Sequence, residues 1–226
     1  MAALIFNEIP VDFRDAVDMG NATSVTYKAA SVPGTALTAN ANVLRSQLSQ
    51  DALKPYMVPW THWRVWDALQ TNLPGTSASD DLGLYGGTWA SASPVIRTYD
   101  VKAAGALALY ARAQFCLPAE YDGGETITFR MKSQMVTTVA DVSCTLDLVL
   151  YKADNEAGIG SDLCATAAQS INSLTAANKD FTITPTGLAA GDILDFRIHV
   201  AVNDAATATA VIAEIGAAYF LLDVRG

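Results

Sequence analysis

An all-β protein, an antiparallel β-sandwich with the jelly roll as the favoured form, is the fold this sequence predicts. Three observations carry the prediction. Hydrophobicity alternates with a period of two from about Trp60 onward, Gly/Asp turn signals separate the alternating runs, and no 3.6-residue period lies between them. Roughly eight strand-like runs up to the C-terminus suit the two sheets of a jelly roll. An immunoglobulin-like sandwich is the runner-up. At 226 residues the chain can bury a proper core.

Residues 1–57 read as an extended N-terminal arm and 58–226 as the sandwich domain. The arm has short apolar snatches, small polar stretches such as GNATSVTYKAASVPGTALTANAN, and Pro10, Pro33, Pro55 and Pro59 as punctuation. Its one helical candidate, ANVLRSQLSQDAL, spaces Leu44, Leu48 and Leu53 unevenly. Such an arm is expected to gain order on a neighbour.

In the domain, ETITFRM turns Ile127, Phe129 and Met131 one way and Thr126, Thr128 and Arg130 the other. SCTLDLVLYK puts Cys144, Leu146, Leu148 and Leu150 on one face, with Asp147 and Tyr151 opposite. DILDFRIHV buries Leu194, Phe196, Ile198 and Val200 and turns Asp195, Arg197 and His199 outward. GALALYARAQFCL and AVIAEIGAAYFLLDV are apolar on both faces and read as central strands. PAEYDGGE, KADNEAGIGSD, NKD, TPTGLAAGD and VNDAAT are the turns.

Composition narrows the function. A net charge of -9 argues against nucleic-acid binding, which needs a basic face. Only 16% of residues are charged, against roughly 25% in an average soluble protein. Either subunit contacts or a Thr/Ser/Ala/Asn surface must account for the rest. The one candidate membrane segment, ATATAVIAEIGAAYFLLDV, carries Glu214 in its middle and reads as a buried strand, so no membrane partner is expected. MAALIFNEIPVDFRD lacks the features of a signal peptide. Synthesis in a reducing cytoplasm is therefore expected. Cys116, Cys144 and Cys164 have no metal-ligand spacing and read as small buried hydrophobes.

No residue set points to a reaction, a cofactor or a metal. His62 and His199 are the available histidines, but no serine sits in a GxSxG elbow, and His199 reads as a satisfied surface or interface residue. Gly86-Gly87 and Gly123-Gly124 precede neither a helix nor a Lys-Ser/Thr and read as turns. VTTVADVSCT and HVAVNDAATAT echo each other. Asp141 and Asp204 are thus expected at one end of the sandwich, too few carboxylates for a calcium site. In VPWTHWRVWDAL, Trp60, Trp63 and Trp66 surround His62 and Arg64, a composition suited to packing within the chain or at an interface. Trp60, Trp63, Trp66 and Arg64 are the predicted interface residues. A sugar platform, the rival reading, would want more acids and amides than Asp67 close by.

LPAEYDGGETITFRMKSQMVTTVADVSCTLDLVLYKAD and GDILDFRIHVAVNDAATATAVIAEIGAAYFLLDVRG resemble a recurring type of tailed-bacteriophage virion protein. So do RVWDALQTNLPGTSASDDLGLYGGTW and SDLCATAAQSINSLT, and the resemblance spans Arg64 to Gly226. It implies a non-enzymatic capsid decoration (cement) protein in the virion, forming a homotrimer on the head and binding the major capsid protein. It brings no catalytic residue with it. The alternative function is a receptor-binding or tail-fibre module recognising host glycans.

Overall fold

The computed structural model describes residues 53–154 and 160–224. The arm predicted for residues 1–57 and its helical candidate lie outside them, except from Leu53 onward.

Ten strands form two antiparallel sheets among the described residues. They are β1 (Lys54–Met57), β2 (Gly83–Tyr85), β3 (Val95–Arg97), β4 (Gly105–Cys116) and β5 (Ile127–Met135). The others are β6 (Ser143–Lys152), β7 (Gln169–Ser170), β8 (Ala177–Ile183), β9 (Ile193–Asp204) and β10 (Ala213–Leu222). A single 3-10 turn, Trp60–His62, is the only helical piece among those residues. One sheet runs β2-β3-β10-β5-β8, with β1 pairing the second half of β10 beyond the reach of β3. The other runs β4-β9-β6-β7. From β3 on, this is the strand order of an eight-stranded jelly roll. Lys54–Met57, assigned by the sequence to the arm, thus belongs to the six-stranded sheet.

The predicted alternation sets which side faces the core. Phe129, Phe196 and Phe220 meet between the sheets, with ring centroids 4.7 to 5.4 Å apart. Beside them Ile127, Met131, Leu148, Leu150, Leu194 and Ile198 are fully enclosed. Each such side chain contributes roughly 1.5–3 kcal/mol by leaving water. β10 is central, as its apolar composition suggests. A register shift between Ile215 and Ala218, where Gly216 sits, bends it.

β4 differs from its expected central place. One edge pairs β9 along its whole length, and the other meets the segment from Trp63 to Leu82 instead of a strand. Arg64 and Arg112 exchange backbone hydrogen bonds of 2.7 and 3.0 Å. Leu82 N–H donates to the Tyr110 carbonyl, and Tyr110 N–H to that of Asp80. An open edge of twelve residues would invite pairing with another chain, and this coil closes it. The core face of β4 is apolar, while its other face, which carries Tyr110, Arg112 and Gln114, is partly covered.

The glycine pairs are turns. Gly86 and Gly87 have φ of 79° and 81° in the β2–β3 hairpin, and a Cβ on Gly86 would lie 2.2 Å from the Ser93 carbonyl oxygen. The echoing segments do meet at one end of the sandwich. Asp141 accepts the N–H groups of Ala205 and Ala206, while Asp204 accepts those of Ala103 and Asp141 and the Thr207 hydroxyl. Burial alone would raise the Asp204 carboxyl. The hydroxyl and the two N–H donors outweigh it and hold that carboxyl at about 2. These acids cap backbone, and no metal-binding group of three forms among the described residues.

The cysteines part company with expectation at one position. Cys144 is buried, and burial pushes its thiol up to about 12; burial likewise pushes Cys164 to about 11. Cys116, at the end of β4, is exposed rather than buried.

Candidate functional site

The outer face of the four-stranded sheet gathers the residues with the most unspent chemistry. Register aligns β4, β9 and β6 into rungs: Gln114–Asp195–Tyr151, Arg112–Arg197–Val149, Tyr110–His199–Asp147 and Ala108–Ala201–Thr145. Alternation turns all of these outward, and each is half-buried.

Trp66 joins them from the segment that closes the β4 edge. Its ring lies 5.1 Å from that of Tyr110, tilted by 44°, and its Nε1 donates to Asp80 Oδ2 at 3.0 Å. Tyr110 in turn stacks on His199 at 4.8 Å, nearly parallel. Three rings therefore form one row. The Arg197 guanidinium lies beside it, 4.7 Å from the Tyr110 ring and 5.3 Å from that of Trp66.

The polar groups of this face are unequally matched. Arg112 grips Asp195 in a bidentate pair at 2.7 and 2.5 Å, and Gln114 Nε2 adds a third bond to the same carboxylate at 2.9 Å. Arg197, directly opposite Arg112, makes no ion pair among the described residues. Its Nε and His199 Nε2 are buried without a hydrogen-bond partner. Groups left so are uncommon in folded proteins, since each costs about 1–3 kcal/mol of desolvation. Burial holds His199 below the usual histidine range. Arg197 pushes the same way and Asp147 opposes, so the ring is neutral at pH 7. The expected satisfied histidine is therefore an unsatisfied one.

Beyond Gln114 the face runs into a groove of about 360 Å³ lined by His62, Arg64, Leu69, Gln114, Phe115, Cys116 and Ile193. In the other direction the Ala108–Ala201–Thr145 rung carries only short side chains.

The predicted residues separate. Trp63 is 1% exposed, with its ring edge-to-face on Phe196, so it is core of its own chain. Trp60 is half-buried against that core from the 3-10 turn. Arg64 bonds Asn72 Oδ1 and lines the groove, and Trp66 alone reaches the aromatic row. The fourth tryptophan, Trp89, is 95% exposed beyond Gly86-Gly87. Sequence reasoning missed Tyr110. Its signal was the alternation of GALALYARAQFCL, but which residue of β9 it would face needed the register.

No family model matches the chain, and no curated protein does. Among solved structures it is similar to the xylan-binding module CBM15 at 11% identity, covering 77% of this chain and 100% of that one, with a TM-score of 0.41. A xylan-binding domain from CBM 22 is similar at 13% identity, over 76% and 96%, with a TM-score of 0.38. The enzymatically active domain of bacteriophage CBA120 tailspike protein 4 follows at 10% identity and a TM-score of 0.40, the match covering 73% of this chain and a fifth (20%) of that one. These likenesses are loose, and the functional reading rests on the sheet face itself.

Proposed function

We propose that this protein is a non-catalytic glycan-recognition module that binds saccharide on the outer face of its four-stranded sheet. The carrying observation is the Trp66–Tyr110–His199 row with the unpaired nitrogens of Arg197 and His199 in and beside it. A pyranose offers apolar C–H faces for rings and hydroxyls for polar groups, and this face gathers half-buried rings and polar side chains within a few ångströms of one another, the unpaired Arg197 Nε and His199 Nε2 being buried among them. A polar, aromatic face of this kind also favours glycan recognition over the capsid decoration that the sequence put first. A permanent trimer contact would be more apolar.

The test is a glycan array with the whole chain, followed by calorimetry of the best binder with wild type, Trp66→Ala and Tyr110→Ala. Each truncation is expected to weaken binding at least about tenfold, or about 1.4 kcal/mol. Absence of any bound glycan, or full affinity in both variants, would overturn the proposal.

A further inference from the structure

We infer that the saccharide taken by this face is acidic, carrying a carboxylate or sulfate, and that Arg197 is the residue that selects it. The inference rests on the glycan reading above and adds the ligand's charge. Arg112 and Arg197 sit opposite each other on neighbouring strands, where like charges repel. One carboxylate, Asp195, serves this pair, and Arg112 with Gln114 consumes it.

None of the other acids nearby pairs with Arg197, although Asp81 Oδ1, on the segment bridged to Tyr110, is itself buried without a partner. Asp80 accepts from Trp66 Nε1, and Asp147 Oδ1 accepts the N–H of Leu148. Among the described residues Arg197 makes its cation–π contacts with two aromatic rings and forms no ion pair. A ring face offsets part of the charge, but it gives the in-plane N–H groups no acceptor, and Nε is buried without one. In a chain of net charge -9, a half-buried arginine that forms no ion pair among the described residues needs a reason. A carboxylate or sulfate whose oxygens meet the guanidinium fork supplies one. A sugar ring stacked on Trp66 or Tyr110 would hold its acidic substituent within reach of that fork. His199 lies uncharged beside it, its Nε2 buried and without a partner.

The experiment compares matched saccharides on the whole chain by calorimetry. The pairs are a galacturonate oligomer and its carboxyl-reduced form, sialyllactose and lactose, and a sulfated galactan oligomer and its desulfated form. In at least one pair the acidic member is expected to bind about tenfold or more tightly, as one charge-assisted hydrogen bond allows. That pair identifies the anion. The preference should shrink as salt rises. Arg197→Gln should bring the two affinities together, and Arg197→Lys should keep part of the gap, both with the wild-type β spectrum. Equal binding within every pair overturns the inference and leaves glycan recognition standing. A preference that survives Arg197→Gln overturns the assignment to Arg197. If no saccharide binds, acidic or neutral, both readings fall.

Discussion

The outer faces of the two sheets contain similar residues and settle them in opposite ways. On the six-stranded sheet every arginine has a carboxylate across the strand. Arg130 on β5 holds Asp180 on β8 through two bonds of 2.6 Å, and Arg97 on β3 holds Glu214 on β10, which also accepts from Gln134. On the four-stranded sheet Arg112 takes Asp195 and Arg197 opposite it goes without an ion pair, next to three stacked rings. Cross-strand pairing is the ordinary solution for an exposed sheet. The face that departs from it is the one proposed above to bind saccharide.

The comparison extends through the thickness of the four-stranded sheet, where the largest effect is expected. Trp63 and Trp66 are three residues apart, yet one is core beneath the sheet and the other stands on its outer face. Trp63→Ala should cost about 3–5 kcal/mol, as large-to-small changes in a packed core do. Trp66→Ala should cost no more than about 2 kcal/mol, the worth of its ring contacts and one hydrogen bond, while removing ligand binding. Melting temperatures of both variants decide it. Equal losses would mean that the two rings do the same job.

On the six-stranded face, Glu214 has a side chain 13% exposed, so removing it strands both Arg97 and Gln134. Glu214→Ala should lower stability by about 1–3 kcal/mol and leave saccharide affinity where it was. Urea titration and calorimetry of the same sample check both halves. A loss of affinity would mean that the two faces are not separate in function.

The two faces also differ in how far the sequence disclosed them. Alternation in SCTLDLVLYK and DILDFRIHV put Asp147, Asp195, Arg197 and His199 outward, and the structure agrees. The same pattern gave the sandwich, and an apolar β10 belonged at the sheet centre. What alternation could not give was register. A strand's own sequence does not say which partner residue lies opposite, so Tyr110 against His199 and Arg112 against Arg197 were invisible. In VPWTHWRVWDAL, packing within the chain, one of the readings its composition suggested, holds for Trp63. A 3-10 turn at Trp60–His62 followed by extended backbone at Arg64 sends neighbouring tryptophans to opposite sides of a sheet, so a shared composition gave no shared site.

The smallest expected effect is a dependence on pH confined to the open face. His199 is held below the ordinary histidine value, first by burial and then by Arg197, with Asp147 pulling the other way. The neutral ring therefore contributes stability that is complete above about pH 6.5, the unfolded value. That contribution is lost as pH falls toward the lower folded value, because the unfolded chain takes up the proton more readily. His199→Phe keeps an aromatic ring against Tyr110 and removes the titration, so carboxylates common to both proteins cancel in the comparison. Below about pH 6.5 the wild type should lose stability faster than the variant, at no more than about 1.4 kcal/mol per pH unit. Partial exposure of the ring keeps the loss well under that limit. Parallel curves from pH 7.5 to 5 would mean that Asp147 balances burial and Arg197. A wild type that gains on the variant as pH falls would mean that Asp147 dominates, and that His199 meets a ligand as a cation in mild acid.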